Sequence, residues 1–102
     1  MKTAIMIASD AGAQIAGLLR KELGQEVTVF SVKEREKCVQ IDSITDFVAR
    51  YFNDYEAFVF IGAMGICVRA IAPCIGSKYN DPAVVNIDAT GHFVVSVLSG
   101  HV

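Results

Sequence analysis

Short apolar runs and amphipathic stretches alternate along this chain, and the alternation predicts its architecture. Thr3 to Ala8 is an almost unbroken apolar run, the pattern of a strand buried on both faces. Ser9 or Asp10 can then cap a helix whose apolar positions, Ile15, Leu18, Leu19 and Leu23, recur at helical spacing before Gly24 stops it. Val27 to Phe30 reads as a second strand, and the charged stretch from Lys33 to Lys37 as loop. Ser43-Ile-Thr-Asp46 resembles a capping box with Asp in place of Glu. Behind it Ile44, Phe47, Val48, Tyr51, Phe52 and Tyr55 form the clearest amphipathic stripe in the chain, and that aromatic stripe is core packing.

Ala57 to Ile61 is a third buried strand, followed by a helix from near Met64 that is apolar nearly all round. Such a helix is expected to be buried on more than one side. Pro73 lacks a backbone donor and clashes with the carbonyl four residues back, so the helix ends or kinks at Ala72. Gly76 to Pro82 is loop. Ala83 to Ile87 and Phe93 to Leu98 are strands joined by Asp88-Ala-Thr-Gly91, which predicts a hairpin. The expected fold is α/β, three layers, with a mostly parallel sheet, helices on both faces and a C-terminal β-hairpin.

Composition narrows the class. The chain has 102 residues, which suits a single α/β domain over 1–102. Hydrophobic residues make up 53% and charged residues 20%, so a packed core is expected. A mean hydropathy of +0.44 is high for this size and fits strands buried on both faces or a surface that meets another domain. The net charge of −2 offers no bulk attraction to nucleic acid or an anionic membrane. Three cysteines (Cys38, Cys67, Cys74) form no CxxC and read as free thiols in a reducing compartment. With no secretory signal and no apolar run near membrane-spanning length, the expected location is cytoplasmic.

Candidate chemistry gathers after the third strand. Gly62-Ala63-Met64-Gly65-Ile66 is a glycine turn between a buried strand and a helix, which aims backbone N–H groups at whatever lies above the sheet. Its GxxG spacing is neither a dinucleotide fingerprint nor a Walker loop. Close packing of helix on strand explains the glycines equally well. Arg69 has no carboxylate three or four residues away on its helix, so either a distant Asp pairs with it or it faces a cleft and binds an anion. Asn80-Asp81-Pro82 is turn chemistry, with Asp81 also a candidate acid–base group, and Asp88 in the hairpin turn has the same structural explanation. His92 reads as a solvated edge residue. His101, in Ser99-Gly100-His101, follows a strand, and ligands bind outside the carboxyl ends of strands in α/β sheets. A histidine there can move protons near neutral pH, or it is a plain loop residue. Cys67 and Cys74 read as small core residues, and no zinc spacing surrounds them.

Taken together, GAMGICVRAIAPCIGSKYNDPAVVNID and the following GHFVVSVLSGHV resemble the N-terminal domain of the CbiG family, the cobalt-precorrin-5A hydrolases of anaerobic cobalamin synthesis. The likeness runs from about Phe60 to the last residue; the preceding part matches in layout alone. It implies hydrolysis of the δ-lactone of cobalt-precorrin-5A with release of the extruded two-carbon fragment as acetaldehyde. It also implies a large substrate fringed with acetate and propionate carboxylates. Gly62, Ala63, Met64, Gly65, Ile66, Arg69, Lys78, Ser99 and Gly100 are then candidates to hold it. His101, Asp81 and Asp88 are the candidates for proton transfer. Cobalt travels with the substrate, so no cofactor and no protein-held metal are expected. Members of the family continue past the SGH motif into a glycine-rich segment, a helix and a C-terminal domain. The chain therefore reads as an N-terminal portion whose partners include that missing domain and other enzymes of the pathway. An open sheet edge leaves self-association as a further expectation. Two other readings stay open: a non-catalytic corrinoid-binding or scaffolding domain of a multi-enzyme protein, and a small nucleotide-binding α/β domain.

Overall fold

The computed structural model describes residues 2–24, 26–76 and 81–99. Parallel strands β1 (Thr3–Ile7), β2 (Val27–Ser31), β4 (Ala57–Ile61) and β5 (Ala83–Ile87) form the centre of a six-stranded sheet. The short β3 (Val39–Gln40) lies at one edge and β6 (Val94–Ser99) at the other, giving the order β3-β2-β1-β4-β5-β6. The apolar runs form strands because both faces are covered: Ala4, Ile5, Met6 and Ile7 are all essentially inaccessible.

Helix α1 (Asp10–Leu23) packs on one face over Ile5, Ile7, Val29, Val59 and Ile61. Helices α2 (Ile44–Tyr51) and α3 (Met64–Ile71) cover the other, over Ala4, Met6, Phe30, Phe58, Phe60 and Val84. Right-handed crossovers require this split, because the chain steps leftward from β1 to β2 and rightward from β3 to β4 to β5. On the α2 and α3 side the aromatic residues stack: Phe30 on Phe47 at 4.3 Å between centroids, Phe52 on Phe58 at 5.9 Å and Phe58 on Phe60 at 6.2 Å.

The caps are specific. Ser9 is the N-cap of α1, its hydroxyl accepting from the Gly12 N–H at 3.0 Å, and Asp10 falls in the first turn. Ser43 caps α2 by accepting from the Asp46 N–H at 3.2 Å. Three expectations are corrected. Helix α2 stops at Tyr51, and Phe52–Asp54 tightens into a 3-10 turn, so Tyr55 is extended; Asn53 and Asp54 are weak helix formers and the chain must turn into β4. Helix α3 buries Cys67, Ala70 and Ile71 but leaves Ile66 42% and Val68 45% exposed, because only one side of it meets a covering layer. The β3 strand was not expected at all. Pro73 sits inside a separate 3-10 turn, Ala72–Cys74, directly after α3, as its missing donor dictates.

The hairpin is present. Asp88 N–H donates to the Phe93 carbonyl at 3.0 Å and Gly91 N–H to the Asp88 carbonyl at 2.9 Å, with Gly91 at a φ of 78°. Strand β6 runs antiparallel to β5, and a bulge leaves Val97 unpaired between Leu98, opposite Val84, and Ser96, opposite Val85. The extra residue lets both Val97 and Leu98 lean on the core beneath α2 and α3. Among the described residues, no helix is long and apolar enough to cross a membrane.

Candidate functional site

The strand order reverses between β1 and β4, whose carboxyl ends, Ile7 and Ile61, lie side by side. The loops that follow diverge, one to α1 and one to α3 on opposite faces. The crevice between them is the expected ligand position in such a sheet.

On one side of it stands the Gly62 turn. Gly62 has a φ of 146°, which side chains resist; its N–H donates to the Ile87 carbonyl at 2.8 Å. Its own carbonyl accepts from the Asn86 Nδ2 at 3.2 Å, so the turn is gripped from both polar ends by β5. Ala63, in extended backbone, is the N-cap of α3 and brings no capping oxygen. The first N–H groups of the helix, at Met64 and Gly65, have no intrahelical acceptor and carry the positive end of the helix dipole. A Cβ built on Gly62 or Gly65 meets nothing within 4 Å, so close packing explains neither glycine. The glycine that packs tightly is Gly12 in α1, whose added Cβ would sit 3.3 Å from Ser9 Oγ and 3.5 Å from Ile61.

On the other side of the crevice stands Ser9 with the start of α1. Arg35 reaches this end from the loop after β2, its Nε donating to Ser31 Oγ at 3.1 Å and its guanidinium paired with Asp10 at 2.5 Å. The Arg35 side chain is only 12% exposed whereas Asp10 is 90% exposed, and the guanidinium holds the Asp10 carboxyl below its ordinary value. The crevice is shallow. The space bounded by Met6 to Ala8, Ile44, Phe60 to Ala63 and Ile66 is about 10 Å³, room for a water molecule at most. A larger groove, about 320 Å³, runs between β3 and α2 and is lined by Phe47, Asp42, Asp46, Arg50 and Tyr51 among others.

The expected site residues fall at two opposite edges. Gly62 to Ile66 and Asp88 are together at the carboxyl edge, where Gly62 bonds to the last residue of β5. Asp88 is committed to the hairpin: it accepts from the Thr90 hydroxyl and from the Phe93 N–H at 2.8 Å, and these bonds hold its carboxyl below the ordinary value. Asp81 is at the other end of β5. It is 5% exposed and accepts from the Gly76 N–H at 2.9 Å, tying the exit of α3 to the start of β5. Ser99 pairs with Ala83 at that same amino edge. The expectation that the end of β6 opens onto the ligand edge is thereby corrected, because antiparallel pairing reverses the strand. About 13 Å of strand separates the two groups. Arg69 is exposed on the outer surface of α3, with no ion pair to another described residue. Lys78, Gly100 and His101 lie outside the described residues.

Two residues of this site carried no usable signal in the chain. Arg35 stands in a run of charges that reads as solvated loop, and Asn86 interrupts an apolar strand within the family stretch with nothing in its spacing to mark a role. Asn86 is 4% exposed and its Oδ1 has no hydrogen-bond partner among the described residues, an arrangement that costs about 1–3 kcal/mol. The free cysteines add no reactive centre here: burial pushes the Cys67 thiol up to about 11 and raises Cys74 as well.

Comparison with known proteins bears on the family and the fold. A family model described as cobalamin synthesis G N-terminal matches residues 46–102, which contain the Gly62 turn, α3, β5 and β6. The cobalt-precorrin-5A hydrolase of Salmonella typhimurium is 56% identical over 50 residues, 49% of this chain and 14% of that protein. The enzyme of the same name from Priestia megaterium is 34% identical over a 106-position alignment that takes in 97% of this chain and 28% of that protein. The crystal structure of a cobalamin biosynthesis protein G homologue from Sulfolobus solfataricus superposes with a TM-score of 0.70 at 26% identity, covering 97% of this chain and 29% of that one. The chain thus spans 14% to 29% of the length of these relatives.

Proposed function

The chain belongs to the cobalamin synthesis G N-terminal family, and we propose that it is the substrate-binding N-terminal portion of a cobalt-precorrin-5A hydrolase. The observation that carries this reading is the uncapped start of α3 at the strand-order reversal, inside the segment the family model matches. The substrate is a cobalt-bearing macrocycle fringed with carboxylates. It is far larger than the 10 Å³ crevice, so it lies across the carboxyl edge instead of entering it. One peripheral carboxylate sits over the Met64 and Gly65 N–H groups, where charge-assisted bonds and the helix dipole act in the same direction. Arg69 serves another carboxylate from the flank of α3, and Lys78 is a further candidate for the same task.

Opening the lactone needs a proton taken from water as its oxygen attacks the carbonyl carbon, and donors for the oxyanion that forms. Backbone N–H groups of the glycine turn suit the second task. Asp88, Asp81 and His101 are the candidates for the first. Asp88 is at the substrate edge, but the hydrogen bonds from Thr90 and Phe93 that hold its carboxyl below the ordinary value also weaken it as a base. Collapse of the tetrahedral intermediate breaks the lactone C–O bond and leaves a carboxylate and a hydroxyl on the two-carbon fragment. That hydroxyl then loses its proton and becomes the C=O of acetaldehyde as the carbon–carbon bond to the macrocycle breaks. The electron pair stays on the macrocycle, which takes up a proton; cobalt is carried by the substrate throughout.

One observation favours a second reading, in which this domain binds a corrinoid without hydrolysing it: Asp81 and Asp88 stand at opposite edges of the sheet. Titration of the chain with a cobalt corrinoid carboxylate, followed by absorbance and thermal shift, tests the shared part of both readings. Saturable binding with a rise in Tm is expected. A folded chain giving neither would overturn the assignment of substrate binding to this domain. Acetaldehyde assay of the chain joined to the remainder of a relative then separates catalysis from binding alone.

A further inference from the structure

The two edges of the sheet are built differently. β3 is two residues long and follows the charged run Lys33 to Lys37, devices that keep an edge from pairing. β6 is six residues long, and the stretch Phe93 to Ser99 contains no charge and no proline. Its outer backbone edge has no neighbouring strand among the described residues. Phe93 is 71%, Val94 63% and Val95 45% exposed, three consecutive large apolar residues at the most open place on the sheet.

The faces beside β6 are open as well. Helix α1 packs chiefly against β1, β2 and β4 and reaches Val85 and Ile87 of β5, which leaves the strand beyond them, β6, at the margin of its layer. Val94 is opposite Ile87 and therefore projects on the α1 side, beyond the reach of that helix, while Val95, opposite Asn86, projects on the α3 side. A strand apolar on both faces is an interior strand by pattern, yet it lies at an edge here.

From these observations we infer that β6 and its exposed residues Phe93, Val94 and Val95 are the docking surface for the polypeptide that follows this domain in the full-length relatives. The inference rests on the reading of the chain as the N-terminal part of a longer protein. That occupant is favoured over a second copy by the lengths involved: the family model is an N-terminal one, and this chain accounts for only 28% of the Priestia megaterium enzyme. Most of that protein therefore lies outside the segment this chain matches. β6 is the last strand among the described residues, and its open edge offers backbone hydrogen bonds that a segment following it in the relatives reaches over a short span of chain.

The test is amide hydrogen exchange on the chain alone and on the chain extended after Val102 by the polypeptide that follows the matched region in the Priestia megaterium hydrolase. Amides of Val94 to Leu98 are expected to exchange about tenfold more slowly, or better, in the extended protein. The double variant Val94→Lys, Val95→Lys is expected to abolish that gain while β1 and β4 amides keep their protection. A folded extended chain whose β6 amides exchange as fast as in the isolated chain overturns the inference. So does protection in the isolated chain that rises with concentration alongside a doubled hydrodynamic mass, which assigns the edge to a second copy. The corresponding strand of the Priestia megaterium enzyme itself supplies the same readout independently of the fusion, and fast exchange there is equally decisive against it. None of these measurements involves a corrinoid or turnover, so their failure is distinct from failure of the hydrolase reading.

Discussion

Replacing each glycine of the turn by alanine separates what the fold needs from what a ligand needs. At Gly62 an added Cβ meets no atom within 4 Å, so the cost is purely conformational: a φ of 146° is strained for alanine by about 1–3 kcal/mol. Relaxing that φ gives no escape, because the N–H bond to the Ile87 carbonyl and the carbonyl bond from Asn86 would break, each worth about 1 kcal/mol. For a domain of this size the loss corresponds to a fall in Tm of roughly 4–24 °C. Gly65 differs. It lies in the first turn of α3 with nothing within 4 Å, so Gly65→Ala gains up to about 1 kcal/mol of helix propensity. Yet Cβ atoms tilt toward the N-terminus of a helix, and this one would project into the space where the carboxylate is to bind. Gly65→Ala is therefore expected to melt no lower than the parent while binding a corrinoid carboxylate about tenfold more weakly. Thermal unfolding by circular dichroism and corrinoid titration check the pair. Unchanged affinity in Gly65→Ala removes the α3 terminus from the site, and a Gly62→Ala protein within about 0.5 kcal/mol of the parent refutes the account of the turn.

Other perturbations test other links. Phe58, fully buried between Phe52, Tyr55 and Phe60, is expected to cost about 3–5 kcal/mol as Phe58→Ala in urea unfolding; a loss under 1 kcal/mol would mean that the aromatic stack is not the core. Arg69→Ala should leave Tm unchanged, since the side chain is exposed, and weaken corrinoid binding by about 10–100-fold; a folded variant of normal affinity takes Arg69 out of the site. Because burial raises the Cys67 thiol from 9.0 to about 11, the folded state favours the neutral form, so its contribution is present below pH 9 and lost as pH rises through 11. The loss amounts to roughly 3 kcal/mol, and the stability gap between parent and Cys67→Ala should narrow over that range; a gap independent of pH would sink the argument. Asp88 titrates below its ordinary 3.8, so its support for the hairpin is present above that pH and fades below it. Amide protection factors in the 88–94 segment should be lower in Asp88→Ala at neutral pH and, unlike those of the parent, should not fall further in acid; unchanged protection would deny the carboxylate its role.

Much of this fold was legible because parallel strands buried on both faces must be apolar runs, and Thr3 to Ala8, Val27 to Phe30 and Ala57 to Ile61 are such runs. Ser43 and Pro73 marked helix ends by chemistry that does not depend on tertiary context. β3 was illegible because two residues carry no period; only the bond from the Ile41 N–H to the Ser31 carbonyl at 2.9 Å and its neighbours create it. The exposure of Ile66 and Val68 was hidden for the opposite reason, since apolar periodicity does not say which layers surround a helix. The site was half legible. The glycine turn announced itself by position, whereas Arg35 and Asn86 acquire meaning only from Asp10, Ser31 and Gly62, which are distant in the chain.

The placement of Ser99 follows from the hairpin and bears on how the family motif works. Once Asp88 to Gly91 is a tight turn, β6 must run back toward the amino edge, so the Ser99-Gly-His101 motif begins beside Ala83 while the glycine turn remains beside Ile87. One matched segment thus feeds both edges of the sheet. At the carboxyl edge the open N–H groups of α3 suit an anion; at the amino edge Asp81 clamps Gly76 and binds the exit of α3 to β5. A change at Asp81 should therefore act on the orientation of α3 before it acts on any proton. Asp81→Asn removes the charge but keeps an oxygen able to accept from the Gly76 N–H. If the carboxylate is a structural clamp, that variant retains corrinoid binding and turnover in the extended protein, whereas Asp81→Ala lowers stability by about 1–3 kcal/mol. If Asp81→Asn folds and binds normally yet releases no acetaldehyde, the clamp is instead the proton-transfer group, and the substrate must reach the amino edge.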